Sequence, residues 1–235
     1  VDCSDHEVNI KILLGAIVEA GDLTLKQRND LLASMTEEVG HLVLQDNYYQ
    51  TQALDIAMHR PLYVLDGQQR LMQWLEGSNR LNRAIEFLPA DDEIAKRRAR
   101  KLGLTAPESA VLLAYAKMAV FDELVASNLP DDPFFGRALK AYFPQVLTEK
   151  FATAIGKHPL KREIIATHIT NTVLNRTGAT FINFIAAESG APTADVIRAF
   201  TLAREVFDLE PLWDQLDALD YKVDSRLQLD LLAKL

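Results

Sequence analysis

Apolar residues recur at spacings of three and four along nearly the whole chain, and no segment sustains an alternation of period two. A chain patterned in this way can bury its apolar side chains as helices but not as a sheet. Ile10, Leu13, Leu14, Ile17 and Val18 form one stripe. Leu31, Leu32 and Met35 form another, and Val39, Leu42, Val43 and Asp46 open a longer element running towards Met58. Leu65, Leu71, Met72 and Leu75 follow Pro61. Only Thr180-Phe181-Ile182 could be a strand, and it is too short to organise a sheet. The expected fold is all-α, a multi-helix, bundle-like arrangement.

Helix-start signals sharpen this reading. Ser4-x-x-Glu7 and Thr105-x-x-Glu108 are capping boxes, each offering a hydroxyl to the third helical N–H and a carboxylate back to the cap. Asp91 and Thr193 read as simpler caps. Pro107 suits a first turn, where its absent N–H is not needed. The helix after Thr105 is apolar nearly all round, which predicts the central helix of a bundle. Further helices are expected over 131–142, 160–176, 180–188, 195–206, 212–219 and 223–234. A boundary is expected near Arg60-Pro61, which divides the chain into 1–60 and 61–235.

Composition then excludes some roles. The chain has 235 residues and is 49% hydrophobic and 25% charged, which suffices for a buried core. A net charge of -8 disfavours nucleic-acid and anionic-membrane partners. The longest apolar stretch, Ala110 to Val125, carries Lys117, Asp122 and Glu123 and falls short of a membrane span. A single cysteine, Cys3, allows no internal disulfide, so a cytoplasmic location is expected. The chain opens at Val1 with no initiator Met and no leader, so it reads as a piece of a larger polypeptide.

Several constellations could carry chemistry. Ser4, Asp5 and His6 are consecutive, so on a helix they point about 100° apart and cannot form a relay. Cys3, His6 and Glu7 share a face, but no second cluster completes a metal site, and no metal is expected. Ser4 has two open readings. It is a helix cap, or its hydroxyl joins the exposed N–H groups of a helix start in binding a carboxylate. His168, Asn171 and Asn175 lie on one face of an apolar helix, where a satisfied polar network or a ligand-lining role is expected. Tyr48 and Tyr49 read as packing aromatics. The run Lys96-Arg97-Arg98-Ala99-Arg100-Lys101 reads as a solvated helix end or an intersubunit salt-bridge patch. Asp131-Asp132-Pro133 reads as a cap and turn. No G-x-G-x-x-G or P-loop occurs.

An ordered set of segments carries a family resemblance. It comprises Val1-Asp2-Cys3-Ser4-Asp5-His6-Glu7-Val8-Asn9-Ile10-Lys11-Ile12-Leu13-Leu14, Gly21-Asp22-Leu23-Thr24, Leu44-Gln45-Asp46-Asn47-Tyr48, Glu86-Phe87-Leu88-Pro89 and Gly103-Leu104-Thr105. Leu129-Pro130-Asp131-Asp132-Pro133, Tyr142-Phe143-Pro144, Arg162-Glu163-Ile164-Ile165-Ala166-Thr167 and Asn175-Arg176-x-Gly178 complete it. The chain resembles the C-terminal end of the large NAD-specific glutamate dehydrogenases of bacteria. That resemblance implies oxidation of L-glutamate with NAD and water to 2-oxoglutarate, ammonia and NADH. It implies that the catalytic residues and the NAD-binding fold lie upstream and that none of the catalytic residues is in this piece, which alone is expected to be inactive. In that family a Val-x-x-Ser step opens the helix returning to the substrate cleft, and its serine helps bind the side-chain carboxylate of glutamate. Val1-Asp2-Cys3-Ser4 matches the step, so Ser4, with Val1 beside it, is the candidate substrate-binding position. Residues 1–60 would be the tail of the catalytic region, and 61–235 a helical C-terminal domain serving as scaffold, regulatory or oligomerisation module. Expected partners are glutamate or 2-oxoglutarate, the rest of the same polypeptide and further copies of it. The first helix, through Ile10, Leu13, Leu14 and Ile17, is expected to dock on later helices of the chain, to swap, or to drive self-association.

Overall fold

A computed structural model describes residues 5–234, and among them are thirteen α-helices and no strand. The first half of the chain forms α1 (Asp5–Glu19), α2 (Leu25–Ser34), α3 (Thr36–His59), α4 (Pro61–Gly77), α5 (Asp91–Ala99) and α6 (Ala106–Ala126). A short 3-10 turn at Leu129–Asp131 leads into α7 (Gly136–Tyr142), α8 (Gln145–Gly156) and α9 (Lys161–Thr177). The chain closes with α10 (Phe181–Ser189), α11 (Thr193–Val206), α12 (Leu209–Asp217) and α13 (Ser225–Leu232). The all-α expectation is met, and Thr180-Phe181-Ile182 enters α10 rather than forming a strand. No helix among the described residues is long and apolar enough to cross a membrane.

The helices group into two compact units, residues 1–50 with 124–172, and residues 51–123 with 173–235. Each unit therefore draws on both sides of Arg60-Pro61. In the first unit, α1 packs against α2 and α8, and α7 packs against α8. The stripe on α1 is what drives this. Ile10, Leu13, Leu14 and Ile17 are all at most 4% exposed. Of the three fates expected for that stripe, docking on later helices is the one observed.

The helix α8 has no counterpart among the helices expected from sequence. It follows Pro144, lacks a side-chain cap of its own and carries a non-helical residue, Phe151, in its middle. Tertiary contacts compensate: the Glu38 carboxylate accepts the Gln145 N–H at 2.7 Å, and Leu147 and Ile155 are buried. The expected helix over 131–142 is correspondingly shorter. Its start is a turn in which the Asp132 carboxylate accepts the Phe134 N–H at 2.9 Å, while Asp131 pairs with Arg162.

In the second unit, α4 packs on α5 and α10, and α10, α11, α12 and α13 pack in succession. Leu65, Met72 and Leu75 of α4 are fully buried, with Pro61 at the first position of the helix. The helix α6 corrects the central-helix expectation. Leu112, Leu113, Ala116, Ala119 and Val120 are buried, but Met118 is 51% exposed, so α6 buries a stripe and not its whole circumference.

The caps divide. Thr105 and Glu108 form the expected box, with Thr105 N–H to the carboxylate at 2.7 Å and Glu108 N–H to the hydroxyl at 3.4 Å. A second box, Thr24 with Gln27, opens α2. Asp91 and Thr193 are not caps. Both are the first residue inside their helices, preceded by Ala90 and Pro192. Asp91 instead receives Arg83 at 2.8 Å and Gln69 and Gln73 at 3.0 Å, which depress its carboxyl to about 2. Thr193 donates its hydroxyl to Glu123.

Lys96, Arg97 and Arg98 of the basic run are tied down within the chain. Arg97 grips Glu108 bidentately at 2.6 and 3.0 Å, Arg98 reaches Asp66 at 2.5 Å, and Lys96 reaches Asp92 at 3.0 Å. Burial raises the Glu108 carboxyl, but the Arg97 and Thr105 bonds outweigh it and its pKa is lowered.

Because Leu14 is fully buried in the first unit, Leu14→Ala should lower unfolding stability by about 2–5 kcal/mol. Leu202→Ala, at a residue 65% exposed, should change it by less than about 0.5 kcal/mol. Denaturant midpoints at constant m-value check both.

Candidate functional site

The start of α1 is the place where sequence-predicted function and observed polar burial coincide. Val1, Cys3 and Ser4 lie outside the described residues, so the readings that rest on them are not placed. Asp5, His6 and Glu7 open α1 and diverge as consecutive helical residues must. Glu7 turns outward to an ion pair with Lys11. His6 turns inward and is 4% exposed. Asp5 turns to neither, and its carboxylate accepts the Asn9 amide at 3.0 Å.

Asn9 is the centre of the cluster. Its buried Nδ2 also donates to the Tyr142 hydroxyl at 2.8 Å. Its backbone carbonyl accepts from His158 Nε2 at 3.1 Å. His158 in turn accepts the Leu160 N–H on Nδ1 at 3.1 Å. The two bonds fix the tautomer, since the nitrogen that accepts cannot carry the proton. His158 is 3% exposed, and burial holds its pKa below 6.5 against the opposing pull of the Asn9 carbonyl and of Glu163.

Aromatic rings pack around these bonds. His6 stacks on Tyr142 at 4.1 Å between centroids and 20° between planes. Tyr142 meets Phe143 edge-on at 5.2 Å, and Phe143 leans on His158 at 5.8 Å. His6 Nδ1 is buried with no partner among the described residues, and Nε2 lies 4.0 Å from the Asp46 carboxylate. No group of residues able to hold a metal occurs among the described residues.

Comparison with known proteins matches residues 101–235 to the family described as glutamate dehydrogenase, C-terminal. The chain belongs to this family. Residues 1–57 match the bacterial NAD-glutamate dehydrogenase catalytic domain. Relatives along the whole chain are NAD-specific glutamate dehydrogenases. The one from Halomonas elongata is 45% identical and the one from Pseudomonas aeruginosa 46%, each over 100% of this chain. The one from Mycobacterium tuberculosis is 37% identical over 98% of it. The chain spans 14–15% of the length of these relatives.

The cluster therefore joins the two matched regions of the chain. Asp5, His6 and Asn9 belong to the catalytic-domain match, and Tyr142 and His158 to the C-terminal match. The sequence singles out His6 and the Tyr142-Phe143-Pro144 segment, but only as parts of motifs. Nothing in it pairs Asn9 with Tyr142 or His158, which lie 133 and 149 residues away.

The other predicted group, His168, Asn171 and Asn175, sits along α9. His168 and Asn171 are half-buried in the first unit. Asn175, 3% exposed, belongs to the second and has its Oδ1 buried without a partner among the described residues. The strongest polar centre near Asn175 is one residue on. Arg176 donates to Asp217 at 2.9 Å and to Gln52 at 3.2 Å, Gln52 donates to Asp217 at 2.8 Å, and the guanidinium lies 5.2 Å from the Trp213 ring centre. A cavity of about 340 Å³ in the same unit is lined by Leu71, Trp74, Ala119, Ile182 and neighbours, among them the hydrogen-bonded pair Thr193 and Glu123.

The depressed His158 pKa has a signed consequence. The unfolded chain takes up the proton near pH 6.5 while the fold resists it, so the stabilisation is present above pH 6.5 and is lost as pH falls below it. The melting temperature should drop between about pH 7 and about pH 5.5, and His158→Leu should flatten that drop while lowering the plateau. An unchanged slope in the variant would assign the acid sensitivity to other groups.

Proposed function

We propose that this chain is the C-terminal part of an NAD-dependent glutamate dehydrogenase, converting L-glutamate, NAD and water to 2-oxoglutarate, ammonia and NADH. The observation that carries the reading is the paired match, catalytic domain at 1–57 and C-terminal family at 101–235, within one chain that aligns along its length with NAD-specific glutamate dehydrogenases. Residues 1–60 complete the catalytic region, and 61–235 form the helical C-terminal domain. NAD is bound by upstream parts of the polypeptide, and the reaction uses no metal. The whole enzyme works in the cytoplasm as a homo-oligomer.

Within this piece, Ser4 meets the side-chain carboxylate of the substrate, with Val1 at the same step. The physical support is its place in the sequence. Among the described residues α1 runs from Asp5, and the first N–H groups of a helix have no intrahelical partners, so an anion at a helix start gains hydrogen bonds and a favourable dipole. The second half of the function is assembly. Leu202, Val206 and Phe207, on and just past the last turns of α11, are 65%, 67% and 74% exposed, an apolar patch suited to a protein partner such as another copy of the enzyme.

Ser4→Ala in the full-length enzyme should raise the KM for glutamate about tenfold or more, the effect of losing a hydrogen bond to a charged group. The KM for NAD should stay within about twofold. Steady-state kinetics beside a melting curve test this, because loss of a cap alone costs only about 1 kcal/mol of stability. An unchanged glutamate KM leaves Ser4 as a helix cap.

A further inference from the structure

We propose that the cavity between α4, α6 and α10 is a binding site for a small organic ammonium, an amine cation on a compact apolar body. The site lies wholly within the second unit and owes nothing to the start of α1.

The space follows from the residues around it. Its volume, about 340 Å³, falls in the range of small-molecule sites. The walls come from Leu71 and Trp74 of α4, Ala119 and Val120 of α6, and Ile182 and Ala186 of α10. One turn before Leu71, α4 makes a close approach to the start of α10. A Cβ added at Gly67 would meet the Thr180 side chain at 3.3 Å. At the cavity itself the alanines of α6 and α10 are too short to fill the gap, and a concave apolar recess remains.

Two polar groups set what that recess selects. Glu123 is the one charged residue of the lining. Its half-buried carboxylate accepts the hydroxyl of the buried Thr193, which orients it, and no cation pairs with it among the described residues. The side-chain amide of Asn183 also lines the cavity and has no hydrogen-bond partner among the described residues. A carboxylate in an apolar recess without a counter-ion attracts a cation and rejects an anion. Trp74 offers the same cation an aromatic wall, and the amide oxygen of Asn183 offers it a second acceptor. A bare metal ion does not suit the site, because one carboxylate among alanines cannot replace six or more oxygen ligands. An alkyl or aryl body on the amine instead covers the apolar walls and removes them from water.

Calorimetric titration of the full-length enzyme with benzylammonium, benzyl alcohol and benzoate tests this, since the three probes share a ring and differ in charge. Excess 2-oxoglutarate keeps the substrate cleft occupied. Benzylammonium should bind saturably with a Kd of about 1 mM or tighter. Benzyl alcohol and benzoate should bind at least about tenfold more weakly. Glu123→Gln keeps an acceptor for Thr193 but removes the charge, and should weaken benzylammonium about tenfold or more. Ala186→Leu fills the recess at a half-buried position without touching the charge, and should weaken it by a similar factor with the melting temperature maintained. Three results would each overturn the proposal: no saturable binding up to about 10 mM, benzyl alcohol bound as tightly as benzylammonium, or an affinity unchanged in either variant. Because binding is read without turnover, none of these outcomes bears on the proposed reaction.

Discussion

The side-chain amide of Asn9 donates from one buried nitrogen to two acceptors, Asp5 one turn back on the same helix and Tyr142 across the interface. The arrangement of the first unit around α1 depends on that amide. A buried amide that loses a partner costs more than a made bond contributes, so loss of the Tyr142 hydroxyl would weaken the α1 interface even with the Asp5 bond kept. The neighbouring groups are held in turn. Tyr142 stacks on His6, and His158 donates to the Asn9 carbonyl while accepting from Leu160. Hydrophobic burial of Ile10, Leu13, Leu14 and Ile17 supplies most of the affinity between α1 and its neighbours, and the polar cluster supplies the register.

The second unit solves the same problem with charge. Arg83 ties Glu76 and Asp91 together, so that the segment between α4 and α5 is pinned at both ends. Arg97 joins the end of α5 to the capping box that opens α6. Arg176, with Asp217, Gln52 and Trp213, links the end of α9 to α12 and α3. Each guanidinium is at most 20% exposed and reaches more than one acceptor. Such partly buried, multiply bonded pairs hold geometry far better than exposed ones. An acidic chain thus uses Lys96, Arg97 and Arg98 of its dense basic run internally.

Helix identity is legible in the sequence because it is a local property. The stripes on α1 and α4, the Thr105 box and Pro61 each act within one or two turns, and all sit as the pattern requires. Errors arise where a distant group decides the outcome. Asp91 has the composition of a cap but is claimed by Arg83, and Thr193 is claimed by Glu123. The helix α8 is apolar only intermittently and is closed by Glu38, 107 residues earlier. The same rule governs the site. Ser4 is proposed from a motif alone and lies outside the described residues. Tyr142 and His158 are not legible as parts of one cluster, because nothing local marks a tyrosine at the end of a short helix or a histidine in a turn as a partner of Asn9. The interleaving of 1–50 with 124–172 follows from these long-range choices and from no composition break.

The central claim is that Tyr142 and His158, from the C-terminal match, brace the start of α1 through Asn9. A structure of the full-length enzyme with glutamate or 2-oxoglutarate bound tests it most directly. The account predicts that the Asn9–Tyr142 and Asn9–His158 bonds persist in the complex and that the substrate's side-chain carboxylate lies within hydrogen-bond distance of the Ser4 hydroxyl. A complex in which α1 has left Tyr142 and His158 while the substrate remains bound, or in which that carboxylate is held entirely by other residues, would contradict it.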